Sequence, residues 1–456
     1  MTRPSDPRGH PSLQCPGGAE LAALLRDARA RTLALLADLN DEQMRVPRLA
    51  IVNPPLWELG HVAWFQEKWL LREAAPRAPL REDGDALFDS AAIAHDTRWE
   101  LALPSRAGVL DYLERSLAAA CARLESREPD ARDLYFAQLA LFHEDMHGEA
   151  FAYTRQTLAL PPPELPPPAD GPADEPRDAS STAERDAGAL PGDVAIPGGR
   201  FLLGATRGAT FVFDNEKWAH AVVVAPFRLA RAAVTQAEFA EFVEAGGYRR
   251  AEFWCEAGWR WRDEAGAELP LHWRRAHGGG FERRWFDRCT ALEPNRPVLH
   301  VNWFEADAYC RFRGRRLPTE AEWELAASGS PAGGVAPDAA RRTFPWGEAP
   351  PASHHAHLGA RALDTVDVSA FAAGDSAFGV RQLFGNVWEW TASDFVPYPG
   401  FVADPYREYS EPWFHTHKVL RGGCFVTQPR LLRNTWRNFY TPDRRDVWAG
   451  LRTAAR

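Results

Sequence analysis

The reading of the fold turns on Leu139 to Tyr153, "LALFHEDMHGEAFAY", the middle of the longer run "ARDLYFAQLALFHEDMHGEAFAYTRQTLA" (131–159). Apolar groups recur there at helical spacing, yet His143 and His147 stand four residues apart, with Glu144, Asp145 and Glu149 beside them. Positions i and i+4 share one face of an α-helix, so both imidazoles point the same way. That spacing lets one helix offer two ligands to a metal ion. Two packed histidines satisfied by backbone carbonyls would leave the same trace. A third imidazole on a facing helix separates the two readings.

Three more segments with apolar groups at helical spacing precede this one. They are "AELAALLRDARARTLALLADL" (19–39), "NPPLWELGHVAWFQEKWLLRE" (53–73) and "GVLDYLERSLAAACARLES" (108–126). Asn53 is the expected N-cap of the second, with Pro54 in its first turn. Four such helices most simply form a four-helix bundle, whose interior commonly holds metal ligands from facing helices. His61, mid-helix among apolar and aromatic neighbours, is the best third ligand; His95, in "AIAHDTRWEL", comes second. The acids beside His143 and His147 are placed to accept hydrogen bonds from the rings and orient them. Three neutral imidazoles suit iron, copper or zinc rather than magnesium or calcium.

Downstream the texture changes. "LPPPELPPPADGPADEPRDASSTAERDAGALPGD" (160–193) has few large apolar groups and reads as an extended linker. Beyond it, short strand-like runs such as "RFLLGA" and "AVVVAPFRLARAAV" alternate with loops and with short helices such as "TQAEFAEFVEAGG" and "TEAEWELAA". The expectation is an unstructured N-terminus (1–18), a helical bundle (19–159), the linker (160–193) and an irregular α+β domain with a small sheet (194–456).

Bulk composition narrows the function classes. A chain of 456 residues with 45% hydrophobic content can bury more than one core. A net charge of −9 without a dense Lys/Arg block argues against a nucleic-acid surface. The six cysteines form no CxxC pair, and no run is long and apolar enough for a membrane span, so a cytoplasmic protein is expected. Eighteen tryptophans point to an aromatic-rich interior or pocket.

With these residues in hand, the chain resembles the iron-dependent hercynine sulfoxide synthases of ergothioneine biosynthesis. Those enzymes join a DinB-like four-helix bundle to a C-type-lectin-like domain similar to the formylglycine-generating enzyme. The motifs that carry the resemblance include "GHVAWFQE", "HEDMHGE", "FDNEKWAH", "LPTEAEWELAA", "FGNVWEWTASDF", "YPGF", "VLRGG" and "RNFYTPDRRDVWAGLR". Their order spans nearly the whole chain. The resemblance implies that His61, His143 and His147 hold Fe(II), leaving positions for substrate and O2. It implies oxidative bond formation at the imidazole C2 of hercynine, the trimethylbetaine of histidine. It also implies that Asn438 and Phe439 in "RNFY" help hold hercynine, and that Tyr398 in "VPYPGF" supplies a proton as oxygen is reduced. Relatives of the second domain suggest Ca2+ at Asn386.

Two departures bear on the second substrate. Members of the family that use γ-glutamylcysteine carry an acid where this chain has Tyr440, and Gln where it has Met146. Arg98 and Arg444 remain as polar contacts. A neutral, aromatic pocket fits a sugar better than a dipeptide with two carboxylates, so the resemblance favours the selenoneine synthase branch, which joins hercynine to a selenosugar. A thiol donor (γ-glutamylcysteine or cysteine) is the alternative. Two rivals come from other classes. Formylglycine generation needs a pair of reactive cysteines after "RGG", where only Cys424 stands. A non-enzymatic scaffold would bind no iron.

Overall fold

Capped helices build the first half of the chain. A computed structural model describes residues 16–74, 76–165, 188–208, 211–331 and 341–456. Before the first strand come α1 (Gly18–Ala34), α2 (Pro55–Gln66), α3 (Gly84–Phe88), α4 (Arg106–Glu125) and α5 (Ala131–Thr157). The unstructured N-terminus expected for 1–18 falls mostly on residues 1–15, and the expected linker mostly on 166–187, outside the described residues.

Asp130 and Asp133 form a reciprocal capping box at the start of α5, satisfying backbone N–H groups that the first turn leaves over. Ser105 caps α4 through the N–H of Gly108. Asn53 does not cap α2. Pro54 stands at that position, Pro55 opens the helix, and the Asn53 side chain accepts from Arg98 instead. Beyond Gln66, α2 runs on through a π-helical turn, Glu67–Glu73. Both α1 and α2 pack against α4 and α5, closing the four-helix bundle around a core that includes Leu21, Leu25, Phe65, Leu113 and Phe136.

The second half is α+β, built from small sheets. β1 (Asp193–Ile196), β2 (Gly199–Leu203), β3 (His220–Val224) and β4 (Phe227–Ala230) are followed by α6 (Gln236–Glu244) and α7 (Glu256–Glu264). Then come β5 (Trp273–Arg275), β6 (Phe281–Trp285), β7 (Arg288–Ala291), α8 (Trp303–Phe312), β8 (Arg315–Arg316) and α9 (Glu320–Ser328). The chain ends with β9 (Trp388–Asp394), β10 (Lys418–Arg421), β11 (Asn438–Tyr440), β12 (Ala449–Leu451) and β13 (Ala454–Ala455). Two sheets have four strands, in the orders β1-β4-β13-β8 and β11-β10-β9-β12. In the second, β12 runs parallel to β9 while β10 pairs antiparallel with β9 and β11, so Leu420 faces Asn438.

Several family motifs turn out to be structural. Glu320 and Glu324 at the start of α9 hold the fully buried Arg421 of "VLRGG", and Glu320 also holds Arg437. Glu389 pairs with Arg452. Each of these arginines has a carboxylate to neutralise it away from water.

α5 is the seam between the halves. Asp145 takes two hydrogen bonds from Arg430, both 2.7 Å. Glu149 accepts from Trp388 Nε1 at 2.6 Å and from Thr427 Oγ1 at 2.8 Å. One residue from the end of the helix, the Gln156 amide donates to Arg284 O and accepts from Phe286 N–H. Helix α5, which carries His143 and His147, is therefore fixed against the second domain.

Candidate metal centre

His61 from α2 and His143 and His147 from α5 meet in the bundle. Nε2 of His143 lies 3.2 Å from Nε2 of His61 and 3.2 Å from Nε2 of His147. One ring nitrogen from each residue lies within 4.8 Å of the others. Imidazole ligands about 2.1 Å from a shared ion, at right angles, sit about 3 Å from each other. Two of the three nitrogen pairs are close to that spacing.

The outer ring nitrogens decide the tautomers. His61 Nδ1 donates to the carbonyl of Phe88 at 2.8 Å, and His147 Nδ1 donates to Glu58 Oε1 at 2.5 Å. Both therefore turn a lone pair at Nε2 toward His143. One N–H on His143 Nε2 could satisfy only one of them. A shared cation satisfies all three, so the donor set fits a metal ion. Burial, reinforced by the neighbouring imidazoles, pushes His61 and His143 well below the ordinary histidine range, which keeps both rings neutral at pH 7. His143 Nδ1 has no partner; its ring instead lies flat on Phe65, centroids 3.5 Å apart.

Gly60 makes the His61 contact possible. A Cβ there would come within 2.1 Å of the Phe88 ring, so only glycine lets Phe88 lie against α2 with its carbonyl over the next residue's imidazole.

The acids expected to orient the rings do other work. Glu144 pairs with Arg29, Asp145 with Arg430, and Glu149 with Trp388 and Thr427. Lying one to two residues from a ligand turns their side chains onto other faces of α5. The orienting acid is Glu58, which the sequence reading missed. Its signal was there: Glu58 precedes His61 by three residues, one turn along the same face of α2.

His95 is elsewhere, with Nε2 2.7 Å from the carbonyl of Val52 and its ring edge-on to Trp99. Tyr398 is also away from the imidazoles. It is buried against His220 and under the guanidinium of Arg437, and its hydroxyl has no hydrogen-bond partner among the described residues. Tyr406 is the tyrosine packed against His143. Its ring lies 4.9 Å from Phe65, 5.6 Å from Trp69 and 6.2 Å from His143. Tyr398 of "YPGF" lies at the far end of the loop from "PYREY" (405–409), whose Tyr406 packs against His143. Burial raises the Tyr406 hydroxyl above its ordinary range, so it keeps its proton at neutral pH.

The remaining candidates fall along the seam. Tyr409 hydroxyl donates to Met146 Sδ at 3.9 Å and its ring is edge-on to Phe439. Phe439 stacks on Phe395, while Asn438 Oδ1 accepts from the Phe439 N–H. Arg444 is held bidentately by Asp446 and lies over the rings of Tyr440 and Tyr153. Arg98 donates to Asn53 Oδ1 at 2.6 Å and stacks on Trp57, which in turn stacks on His61. Asn386 is not free to bind Ca2+: its Oδ1 accepts from Val366 N–H and its amide nitrogen donates to Val366 O and Gln382 Oε1. Cys424 is fully buried with its thiol beside Thr427. Among the described residues no helix is long and apolar enough to cross a membrane.

Comparison with known proteins agrees with both halves. Residues 24–151 match the DinB superfamily and residues 178–456 the sulfatase-modifying factor enzyme 1-like domain. The chain is similar to a hercynine oxygenase of Mycolicibacterium thermoresistibile, 38% identical over 96% of this chain and 95% of the relative. It is similar to a hercynine oxygenase of Mycobacterium tuberculosis at 37% identity, covering 95% and 98%. Its second half is similar to a formylglycine-generating enzyme of Streptomyces coelicolor, 32% identical over 58% of this chain and 88% of the relative.

Proposed function

The chain belongs to the hercynine oxygenase family, and from that premise we propose an Fe(II)- and O2-dependent enzyme that joins a chalcogen to the imidazole C2 of hercynine. The convergence of three Nε2 atoms carries the reading. His61, His143 and His147 would hold the iron, which supplies O2 activation and a seat for a soft anion. In the balanced reaction the C2–H and Se–H (or S–H) bonds break and a carbon–chalcogen bond forms. One oxygen atom of O2 goes to the chalcogen and the other leaves as water.

The chain's own groups divide the remaining work. Tyr406 holds a proton on the phenol beside His143, available where oxygen is reduced. Phe65 and Trp69 close off water behind it. The aromatic wall of Phe439 and Tyr409 suits a trimethylammonium group, with Asn438 beside it.

We assign a selenosugar as the donor. Arg444 is already neutralised by Asp446, and Arg98 is turned onto Asn53 and Trp57, so neither presents a free guanidinium to a donor carboxylate. Tyr440 and Met146 add no charge. The test is anaerobic loading with Fe(II), then hercynine, O2 and either a selenosugar or γ-glutamylcysteine, followed by mass spectrometry. A C–Se product from the selenosugar is expected. Efficient turnover of γ-glutamylcysteine with none of the selenosugar would reverse the donor assignment, and an iron-free, inactive protein would leave the scaffold reading.

A further inference from the structure

"FDNEKWAH" is a motif of the second domain that lies far in sequence from every residue assigned above, yet its side chains converge on the loop that carries Tyr406 and Tyr409. Asp214 reaches both ends of that loop. One carboxylate oxygen accepts from Ser410 Oγ at 2.5 Å and the other from the backbone N–H of Asp404 at 3.4 Å. Asn215 Nδ2 donates to the same Ser410 hydroxyl at 3.0 Å. Lys217 Nζ binds both carboxylate oxygens of Asp404, at 2.7 and 2.6 Å. Phe213 stacks flat on Tyr409, ring centroids 4.3 Å apart. From the bundle side, Tyr135 on α5 donates to Asp404 Oδ2 at 2.9 Å, two turns from His143 on the same helix.

The burial of this cluster is informative. Asp214 is 2% exposed, and Asn215, Glu216 and Ser410 are fully buried. A buried carboxylate is costly unless its lone pairs are used. Here they are used on the ends of one short segment, and that segment carries Tyr406, which lies against His143, and Tyr409, which lies against Met146. Glu216 extends the grip to the next element, accepting from Arg433 and from Thr435 Oγ1, just before Trp436 and β11. Trp436 in turn donates to the Tyr409 hydroxyl.

We propose that Phe213, Asp214, Asn215 and Lys217 act as a strap that pins the 404–410 loop at both ends, making them positioning residues for Tyr406 and Tyr409. Without it the loop would stay attached through the chain but its tyrosines would not be held against α5. Misplacement of a reacting group by about 1 Å can cost roughly a hundredfold in rate. The inference rests on the reading of Tyr406 as the proton-holding side chain.

The experiment uses the full chain loaded with Fe(II), comparing Ser410→Ala, Asp214→Ala, Asp214→Asn and Tyr406→Phe with the wild type. Ser410→Ala is the mildest and keeps the fold testable if Asp214→Ala is poorly folded. Hydrogen exchange of the peptide covering 404–411 is read alongside iron stoichiometry, kcat and KM. The strap predicts at least tenfold faster exchange in that peptide for Ser410→Ala. It also predicts unchanged iron binding, a lower kcat with a raised hercynine KM because Tyr409 belongs to the hercynine wall, and partial rescue by Asp214→Asn relative to Asp214→Ala, since an amide oxygen still accepts from Ser410. Native exchange in Ser410→Ala overturns the strap, as does a loss of iron binding equal to the loss of kcat. Should exchange rise in Ser410→Ala while Tyr406→Phe keeps full activity, the strap stands and the role given to Tyr406 falls.

Discussion

Glu58 Oε1 lies 2.5 Å from Nδ1 of His147, one side chain from α2 and the other from α5. The carboxylate is almost fully buried, so the bond is shielded from competing water. It fixes the tautomer of the one imidazole of the three that is partly open to solvent, with a side-chain exposure of 18%. Glu58→Ala should therefore weaken metal binding by about 10- to 100-fold while the fold is kept. Competition with a chelator of known affinity measures it. Unchanged affinity would remove Glu58 from the account.

His61→Ala and His143→Ala should each abolish stoichiometric metal binding, and His95→Ala should leave it intact. The contrast follows from geometry, since the ring of His95 is committed to Val52 and Trp99. Metal content after dialysis decides it, independent of activity.

Tyr406→Phe should retain hercynine affinity and iron but lower turnover or change the ratio of oxidised products, because only the phenolic proton is removed. Tyr398→Phe should leave turnover unchanged and be neutral or slightly stabilising, by up to about 1 kcal/mol, since its buried hydroxyl has no partner to lose. Paired product analysis and thermal melts separate the two tyrosines.

Arg430→Ala should destabilise the protein by about 3–5 kcal/mol, because it leaves the buried Asp145 carboxyl, and Asp27 beside it, without the guanidinium that both accept from. A urea titration followed by tryptophan fluorescence would show this. A change under about 1 kcal/mol would mean that water replaces the guanidinium there.

Asp214 gives a pH signature. Burial, opposed by the Ser410 hydroxyl and reinforced by Asp404, raises its carboxyl to about 6 in the folded protein from an ordinary 3.8. Between those values the folded chain binds more protons than the unfolded chain, so its stability contribution falls as pH rises and is fully lost above about 6. Asp214→Asn should flatten the stability profile between about pH 4 and 6, a difference of at most about 3 kcal/mol. Urea midpoints across that range test it, and parallel profiles for the two proteins would contradict it.

Local pattern was enough to reveal the helical half, the α+β half and the three imidazoles. Helical periodicity and i,i+4 spacing are properties of neighbouring residues, so His143 and His147 could be paired and His61 sought on a facing helix. Partners of a buried charge are a different matter, because they come from whatever element the fold brings near. Glu144, Asp145 and Glu149 looked like ring-orienting acids until Arg29, Arg430 and Trp388 arrived from other segments. The loop tyrosine likewise could not be chosen from "YPGF" or "PYREY" alone, since reach depends on where Asp404 and Ser410 are anchored. The amino-acid order determined which groups could bind a metal. Tertiary packing decided which groups hold them in place, because burial forces every charge to find a partner across the fold.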